Sequence, residues 1–159
     1  MPTVTFNLFD AWRENRMQMD DTVDLEYSGT PAGAVLKMML ASSAVFTVNQ
    51  NTNVTLADIT HTEVTGTGYT TGGNACANAS ISMDAAGLIT VDADDPAAWT
   101  ENGAGFTNAR RALLVFDNGG AQSTWPVVGY SADFGADEGN DDQDLQIQFG
   151  AGGIFTQAR

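Results

Sequence analysis

The sequence contains very few of the residues from which most active sites and metal centres are built. There is one cysteine, Cys76, and one histidine, His61, in 159 residues. A lone cysteine excludes a disulfide within the chain, and these two residues fall short of the four ligands of a typical structural zinc site. No cationic neighbour or helix start lies beside Cys76 to activate its thiol, so a Cys–His catalytic pair is not predicted.

Basic residues are also scarce. Six lysines and arginines face 20 acidic residues, for a net charge of −14, and the only lysine is Lys37. Nucleic-acid binding needs a cationic protein surface that releases counterions from phosphates, and binding to an anionic membrane also needs a cationic surface. Neither partner is therefore predicted. No apolar run approaches the roughly 18 residues of a membrane span, and the first residues lack the pattern of a secretory signal. We therefore expect a soluble protein made in a cytoplasm.

One stretch is rich in glycine: residues 63–73, EVTGTGYTTGG, hold four glycines and four threonines. Gly66 and Gly68 could begin a dinucleotide-binding loop, but the third glycine of that pattern would fall on Thr71. Such a loop must also open a helix, whereas the residues that follow, NACANASISM, are strand-like and contain no lysine. The stretch therefore predicts a turn between strands.

Helical periodicity is clearest near the start of the chain. Phe6, Phe9 and Trp12 recur at three-residue steps, which predicts a short helix over 5–18 within an N-terminal helical segment, residues 1–19. A short helix needs a docking surface for its aromatic stripe. Two surfaces remain open at this point, the chain's own domain and a partner subunit.

The remaining residues read as strands separated by turns, and they form a single domain over 20–159. A hairpin is predicted where two of these strands flank the turn DAAG. The predicted strands cover 34–42, 77–84, 88–94, 109–120, 125–135 and 144–157. Because turns rather than helices separate them, we predict a mainly β protein, an antiparallel β-sandwich of jelly-roll type with the short N-terminal helix.

Carboxylates are concentrated in two runs, DADD at 92–95 and DEGNDDQD at 137–144. Calcium prefers oxygen ligands, and calcium at these Asp-rich loops is therefore a hypothesis, although neither run fits the EF-hand pattern. A solvated acidic loop is the simpler interpretation. We assign no catalytic, cofactor-binding or metal-ligating residue, and we do not predict an enzyme.

Five stretches in a fixed order resemble a family of small virion proteins of tailed bacteriophages. They are VLKMMLASSAVFTVNQN, DITHTEVTGTGYTTGG, ITVDADDPAAWT, ARRALLVFDNGG and PVVGYSADFG. The resemblance runs from about residue 5 to the end of the sequence. The sequence departs from the family in having a longer connector at 20–34 and the acidic run at 137–144.

The resemblance implies a capsid decoration (cement) protein on the outer surface of an HK97-type head. It implies the major capsid protein as partner, a homotrimer, synthesis in the host bacterial cytoplasm, and no cofactor. We predict that the subunit or capsid contact uses Phe6, Phe9, Trp12, Arg13 and Arg16. Three alternatives stay open: a tail or neck accessory protein, a virion-surface carbohydrate-binding module using Trp99 or Trp125, and a hydrolase hidden in the Asp-rich loops.

Overall fold

The computed structural model describes residues 3–10, 35–83 and 89–157. Within these ranges the chain is mainly β, as predicted. The strands are β1 (Thr3–Val4), β2 (Phe6–Leu8), β3 (Val35–Ser42), β4 (Asn74–Ala75), β5 (Ser80–Met83), β6 (Ile89–Asp92), β7 (Ala109–Asp117), β8 (Val127–Ser131), β9 (Gln148–Phe149) and β10 (Phe155–Gln157). Short 3-10 turns cover Leu56–Asp58 and Gln122–Thr124.

The main element is a five-stranded sheet in the order β2-β8-β7-β3-β4. Its neighbouring strands all pair antiparallel, which confirms the predicted class. The long central pair runs from Val35 opposite Asp117 to Ser42 opposite Ala109. A second sheet, in the order β10-β6-β5, contains the predicted hairpin of β5 and β6. The sandwich and jelly-roll arrangement of these sheets stays a prediction.

Both faces of the five-stranded sheet are buried. Side chains of successive strand residues point to opposite faces, so β3 contributes Met38 and Leu40 to one core and Met39 and Ala41 to the other. A near-continuous apolar run such as that of β3 is typical of a strand that is buried on both faces. The sheet is therefore the centre of the described molecule, and other segments must cover each face.

Different parts of the chain cover the two faces. The first core also contains Val64, Trp99, Phe106, Leu145 and Ile147, which lie outside the long strands. The second core is completed by residues that lie outside all of the predicted strands. They are Leu56 and Ile59, with Phe46 and Val48 at the margin. Loop residues thus supply much of the apolar cover on both sides.

The prediction of an N-terminal helix is wrong over Phe6–Leu8. These residues form strand β2, which pairs antiparallel with β8. Phe6 and Leu8 are buried and Asn7 between them is exposed, the alternation of a half-buried strand. Long-range pairing with β8 therefore overrides the three-residue aromatic spacing. The rest of the predicted helix, 11–18, lies outside the described residues.

Residues 3–9 are nevertheless an integral part of the core. Val4, Phe6, Leu8 and Phe9 are all buried, and Phe9 has no exposed surface. Burying one large apolar side chain contributes about 1.5–3 kcal/mol. Four such side chains therefore contribute on a scale comparable with the ~5–15 kcal/mol net stability of a whole domain.

Candidate functional site

The glycine stretch is held by the carboxylate of Glu63, at its first residue. The Tyr69 hydroxyl donates to Glu63 Oε1 at 2.8 Å, and the Gly72 amide donates to the same oxygen at 2.6 Å. Gln122 Nε2 donates to the other oxygen, Oε2, at 2.8 Å. One half-buried carboxylate therefore joins both ends of the stretch to the 3-10 turn at Gln122–Thr124.

Tyr69 connects this arrangement to the central sheet. Its hydroxyl oxygen accepts a hydrogen bond from the Leu40 amide of β3 at 3.0 Å. Burial raises the pKa of Tyr69 far above its ordinary value, and the neighbouring Glu63 charge raises that pKa further. The phenol therefore keeps its proton at physiological pH and acts as a permanent donor to Glu63.

The glycines are required by close packing against the sheet. Gly73 has a φ of +74°, and a Cβ at this position would lie 1.9 Å from the Met38 carbonyl oxygen. Gly72 has a φ of +91°, and its Cβ would lie 2.8 Å from the Trp125 ring. Strand β4 follows directly, so the predicted turn between strands is confirmed. The stretch is a fitted structural element that ends against β3.

A second polar centre, the fully buried Asn140, contacts the middle of the same stretch. Its Nδ2 donates to the Thr100 carbonyl at 2.8 Å and to the Thr67 carbonyl at 3.4 Å. Its Oδ1 accepts from the Phe106 amide at 2.9 Å. One side chain thus satisfies backbone groups of both the glycine stretch and the loop at 100–106.

The backbone of Asn140 extends this role. Its amide donates to the Phe106 carbonyl at 3.0 Å, and its carbonyl accepts from the Asn102 amide at 2.7 Å. Gly105 and Gly139 pack so closely here that a Cβ on either would lie within 2.2 Å of another heavy atom. The position therefore joins the 137–144 run to the loop at 100–106.

Several carboxylates of the two acidic runs accept hydrogen bonds within the fold. Asp95 Oδ1 accepts from the Phe149 amide at 2.7 Å, and Asp144 Oδ1 accepts from the Glu101 amide at 2.7 Å. Asp94 accepts from Asn78 Nδ2 at 2.6 Å. Among the residues described, no group of three or more His, Cys, Asp or Glu side chains is placed to hold a metal ion. The calcium hypothesis therefore gains no support from the geometry.

The few described cations are paired with acidic side chains. Lys37 Nζ lies 2.8 Å from Asp117 Oδ2 and 5.0 Å from the centre of the Trp125 ring. Arg110 and Arg111 both bind Asp133, at 2.6 and 3.0 Å. The pKa of Asp117 is lowered chiefly by the hydrogen bond from Lys37. The pKa of Asp133 is lowered first by the Gly135 amide and then by Arg110.

The cysteine and the histidine show no sign of catalytic activation. Cys76 is buried, and burial raises the pKa of its thiol to about 12, with a further contribution from the Asp95 charge. A thiol with so high a pKa is almost entirely protonated at neutral pH and is a poor nucleophile. His61 Nδ1 lies 3.2 Å from the Ile59 carbonyl oxygen, a local contact.

The two described tryptophans are in the interior. Trp99 is 1% exposed and stacks on Tyr69 with ring centres 6.2 Å apart, while Trp125 is 7% exposed. The indole N–H of Trp99 has no hydrogen-bond partner among the described residues. Sugar-binding platforms expose an aromatic face, so neither tryptophan offers one in this conformation.

The predicted contact residues fall into two groups. Phe6 and Phe9 are buried in the domain's own cores, where Phe6 packs on Phe149 and Phe9 on Tyr130. In this conformation neither ring is presented at the surface. Trp12, Arg13 and Arg16 lie outside the described residues, and their role in a subunit or capsid contact stays a prediction.

Sequence reasoning missed Glu63 and Asn140, the two residues that organise the glycine stretch. No local motif marks either of them, because their partners lie up to 73 positions away along the chain. Comparison with family models, with curated proteins and with solved structures gave no match. Within residues 3–10, 35–83 and 89–157, no helix is long and apolar enough to span a bilayer.

Proposed function

We propose that this chain is a structural virion protein that decorates the outer surface of a tailed-phage head and stabilises junctions between capsomers. Its partners in this role are the major capsid protein and further copies of itself, arranged as a trimer. The proposal assigns no catalytic step and no cofactor.

The observation that carries the proposal is where the resembling stretches lie. Residues 35–51, 109–120 and 126–135 contain β3, β7 and β8, three adjacent strands of the central sheet. Residues 58–73 contain Glu63 and the glycines that pack against β3. The resembling stretches therefore include three adjacent core strands as well as the loops beside them, which supports a shared scaffold with the decoration proteins.

The polar contacts of the fold are compatible with a structural role on a capsid. The hydrogen bonds of Glu63 and Asn140 connect segments that are distant in sequence. The five-stranded sheet is buried on both faces. A protein that clamps a shell needs such a scaffold and an outer surface that tolerates water. The net charge of −14 suits an exposed position on the particle and disfavours contact with the packaged genome.

Binding to bare heads tests the proposal. Heads would be prepared from a mutant of the encoding phage that lacks this gene, mixed with purified protein, and sedimented. We expect saturable co-sedimentation and raised thermal stability of the heads. If the protein bound tails or necks but not heads, the result would support the alternative function, a tail or neck accessory protein. Binding to neither would contradict a virion function.

Paired arginine variants refine the test. Arg13→Ala with Arg16→Ala removes two of the six cations, and we expect affinity for heads to fall at least tenfold. Arg13→Ala alone is compared with Arg159→Ala, a matched control that also removes one cation but lies outside the predicted contact segment. Equal affinities for all variants would remove Arg13 and Arg16 from the contact while leaving the proposed function standing.

A further inference from the structure

The sequence contains two Asn-Gly pairs, Asn102-Gly103 and Asn118-Gly119. In such a pair the backbone amide nitrogen of the glycine can attack the side-chain amide of the asparagine, because glycine has no side chain to hinder the approach. The two pairs are closely matched in this protein. A Cβ added to either glycine would meet no heavy atom within 4 Å beyond its chain neighbours, so both pairs have open space around them.

The side chains of the two asparagines are held in the same way. Asn118 Oδ1 accepts a hydrogen bond from the Gly120 amide at 3.0 Å, and Asn102 Oδ1 accepts one from the Ala104 amide at 3.0 Å. A backbone amide that donates to this oxygen stabilises the negative charge that develops there when the side-chain carbon is attacked. Both pairs have this donor, so it does not distinguish them.

The backbone hydrogen bonds differ between the two pairs. The Asn102 amide donates to the Asn140 carbonyl at 2.7 Å, and the Asn102 carbonyl accepts from the Gly105 amide at 2.6 Å. Among the described residues, no backbone–backbone hydrogen bond involves Asn118 or Gly119. Ring closure rotates the backbone of the asparagine. It therefore works against two backbone hydrogen bonds at Asn102 and against none at Asn118.

A carboxylate acceptor is present at the second pair. The Gly119 amide, whose nitrogen is the nucleophile, donates to Asp117 Oδ1 at 2.9 Å. Asp117 lies at the end of β7 and is held by Lys37, whose Nζ is 2.8 Å from Oδ2. Among the described contacts the Gly103 amide has no such acceptor. At the second pair, the atom that must lose a proton is thus already hydrogen-bonded to a fixed acceptor.

We propose that Asn118 is a site of self-modification by deamidation, at which the Gly119 nitrogen closes a succinimide ring on the Asn118 side chain. The new bond joins the Gly119 nitrogen to Asn118 Cγ, and the bond from Cγ to Nδ2 breaks. The amide proton passes to Asp117 and then to the departing nitrogen, which leaves as ammonia. Water opens the ring to an aspartyl or isoaspartyl residue, which makes the net charge one unit more negative than −14. The inference does not depend on the proposed function.

The experiment incubates the purified full chain at neutral pH and follows both pairs in the same sample. Trypsin cleaves after Lys37, Arg110 and Arg111, so Asn102 and Asn118 fall in different peptides. Fragmentation mass spectrometry of these peptides measures the conversion of amide to acid at each position. A parallel sample in concentrated urea lacks the folded structure and gives the rates that the Asn-Gly sequence alone determines.

In the folded protein we expect Asn118 to convert at least about tenfold faster than Asn102, because closure at Asn102 also works against two backbone hydrogen bonds. In urea we expect similar rates at the two positions. Asn118→Gln keeps an amide but lengthens the side chain, so it should abolish conversion at position 118. Equal rates in the folded protein, or slower conversion at Asn118 than at Asn102, would overturn the proposal.

Asp117→Asn tests the proton acceptor, because it keeps a hydrogen-bond acceptor but removes the carboxylate. We expect the rate at Asn118 to fall at least about threefold. The rate at Asn102, which reports whether the variant is folded, should stay unchanged. An unchanged rate at Asn118 would overturn the assigned role of Asp117.

Discussion

Two polar centres hold the same glycine stretch, and they differ in charge and in depth. Asn140 is fully buried and neutral, and it both donates to backbone carbonyls and accepts from a backbone amide. Glu63 is half-buried and acts only as an acceptor, for three donors. An amide can therefore serve a buried site with mixed donors and acceptors, whereas a carboxylate suits a site where donors alone converge.

The largest expected effect comes from converting one type of centre into the other. Asn140→Asp at pH 7 replaces the Nδ2 donor with a carboxylate oxygen that faces the Thr67 and Thr100 carbonyls. A buried charge without a partner costs about 3–5 kcal/mol, and we expect that loss in the free energy of unfolding measured with urea. Lowering the pH to 4 should reduce the loss, because burial favours the protonated, uncharged acid.

Asn102→Asp is the control for that substitution. Asn102 is exposed, and its Oδ1 accepts from the Ala104 amide at 3.0 Å, a role that a carboxylate keeps. We expect a change below about 0.5 kcal/mol at either pH. Equal losses at positions 102 and 140 would show that buried Asn140 has no special role.

The next largest effect tests how tightly the stretch between the two centres fits the sheet. Gly73→Ala places a methyl group against the Met38 carbonyl and also strains a positive φ. We expect a loss of about 3 kcal/mol in unfolding free energy, from overpacking and backbone strain together. Gly119→Ala has a similar φ of +76° with open space around its Cβ, so it should lose only about 1–2 kcal/mol. Equal losses would mean that the clash with β3 relaxes without cost.

A smaller effect is expected at the charged centre. Glu63→Gln keeps the shape but turns one acceptor into a donor, which faces at least one of the three groups that now donate to Glu63. A mispaired hydrogen bond of this kind costs about 1–3 kcal/mol of unfolding free energy. Exposed Glu101→Gln removes the same charge and should change stability little. A stabilised Glu63→Gln variant would show that net charge outweighs the local hydrogen bonds.

The smallest effect is expected from the Lys37–Asp117 pair, because both side chains are partly exposed. The folded pKa of Asp117 is below its ordinary value, so the pair stabilises the fold above the unfolded pKa of about 3.9. That stabilisation is lost as the pH falls through the lowered folded pKa. Asp117→Asn should therefore cost up to about 1 kcal/mol at pH 7 and less at pH 3. A loss that grows as the pH falls would contradict this assignment.

The sequence predicted the central strands well because their signals are local. Alternating or continuous apolar residues bounded by turn residues marked β3, β7 and the β5–β6 hairpin, and all of these are confirmed. The prediction for the N-terminal segment was wrong because the spacing of Phe6 and Phe9 fits a helix, while the spacing of Phe6 and Leu8 fits a strand equally well. Only the distant partner β8 decides between these spacings.

The polar centres could not be predicted for the same reason. Glu63 looked like one more acidic residue, and Asn140 lay inside a run that suggested a solvated loop. Their importance comes from Gln122 and Thr67, which only the folded chain brings near them. Likewise, Asp95 and Asp144 accept backbone hydrogen bonds that their sequence neighbours do not indicate.

The most direct measurement of the proposed virion role is a cryo-electron microscopy difference map between wild-type particles and particles whose phage lacks this gene. We expect extra density on the outside of the head, repeated at junctions between capsomers, into which the five-stranded sheet fits. Difference density confined to the tail or neck, or identical particles, would contradict the decoration role.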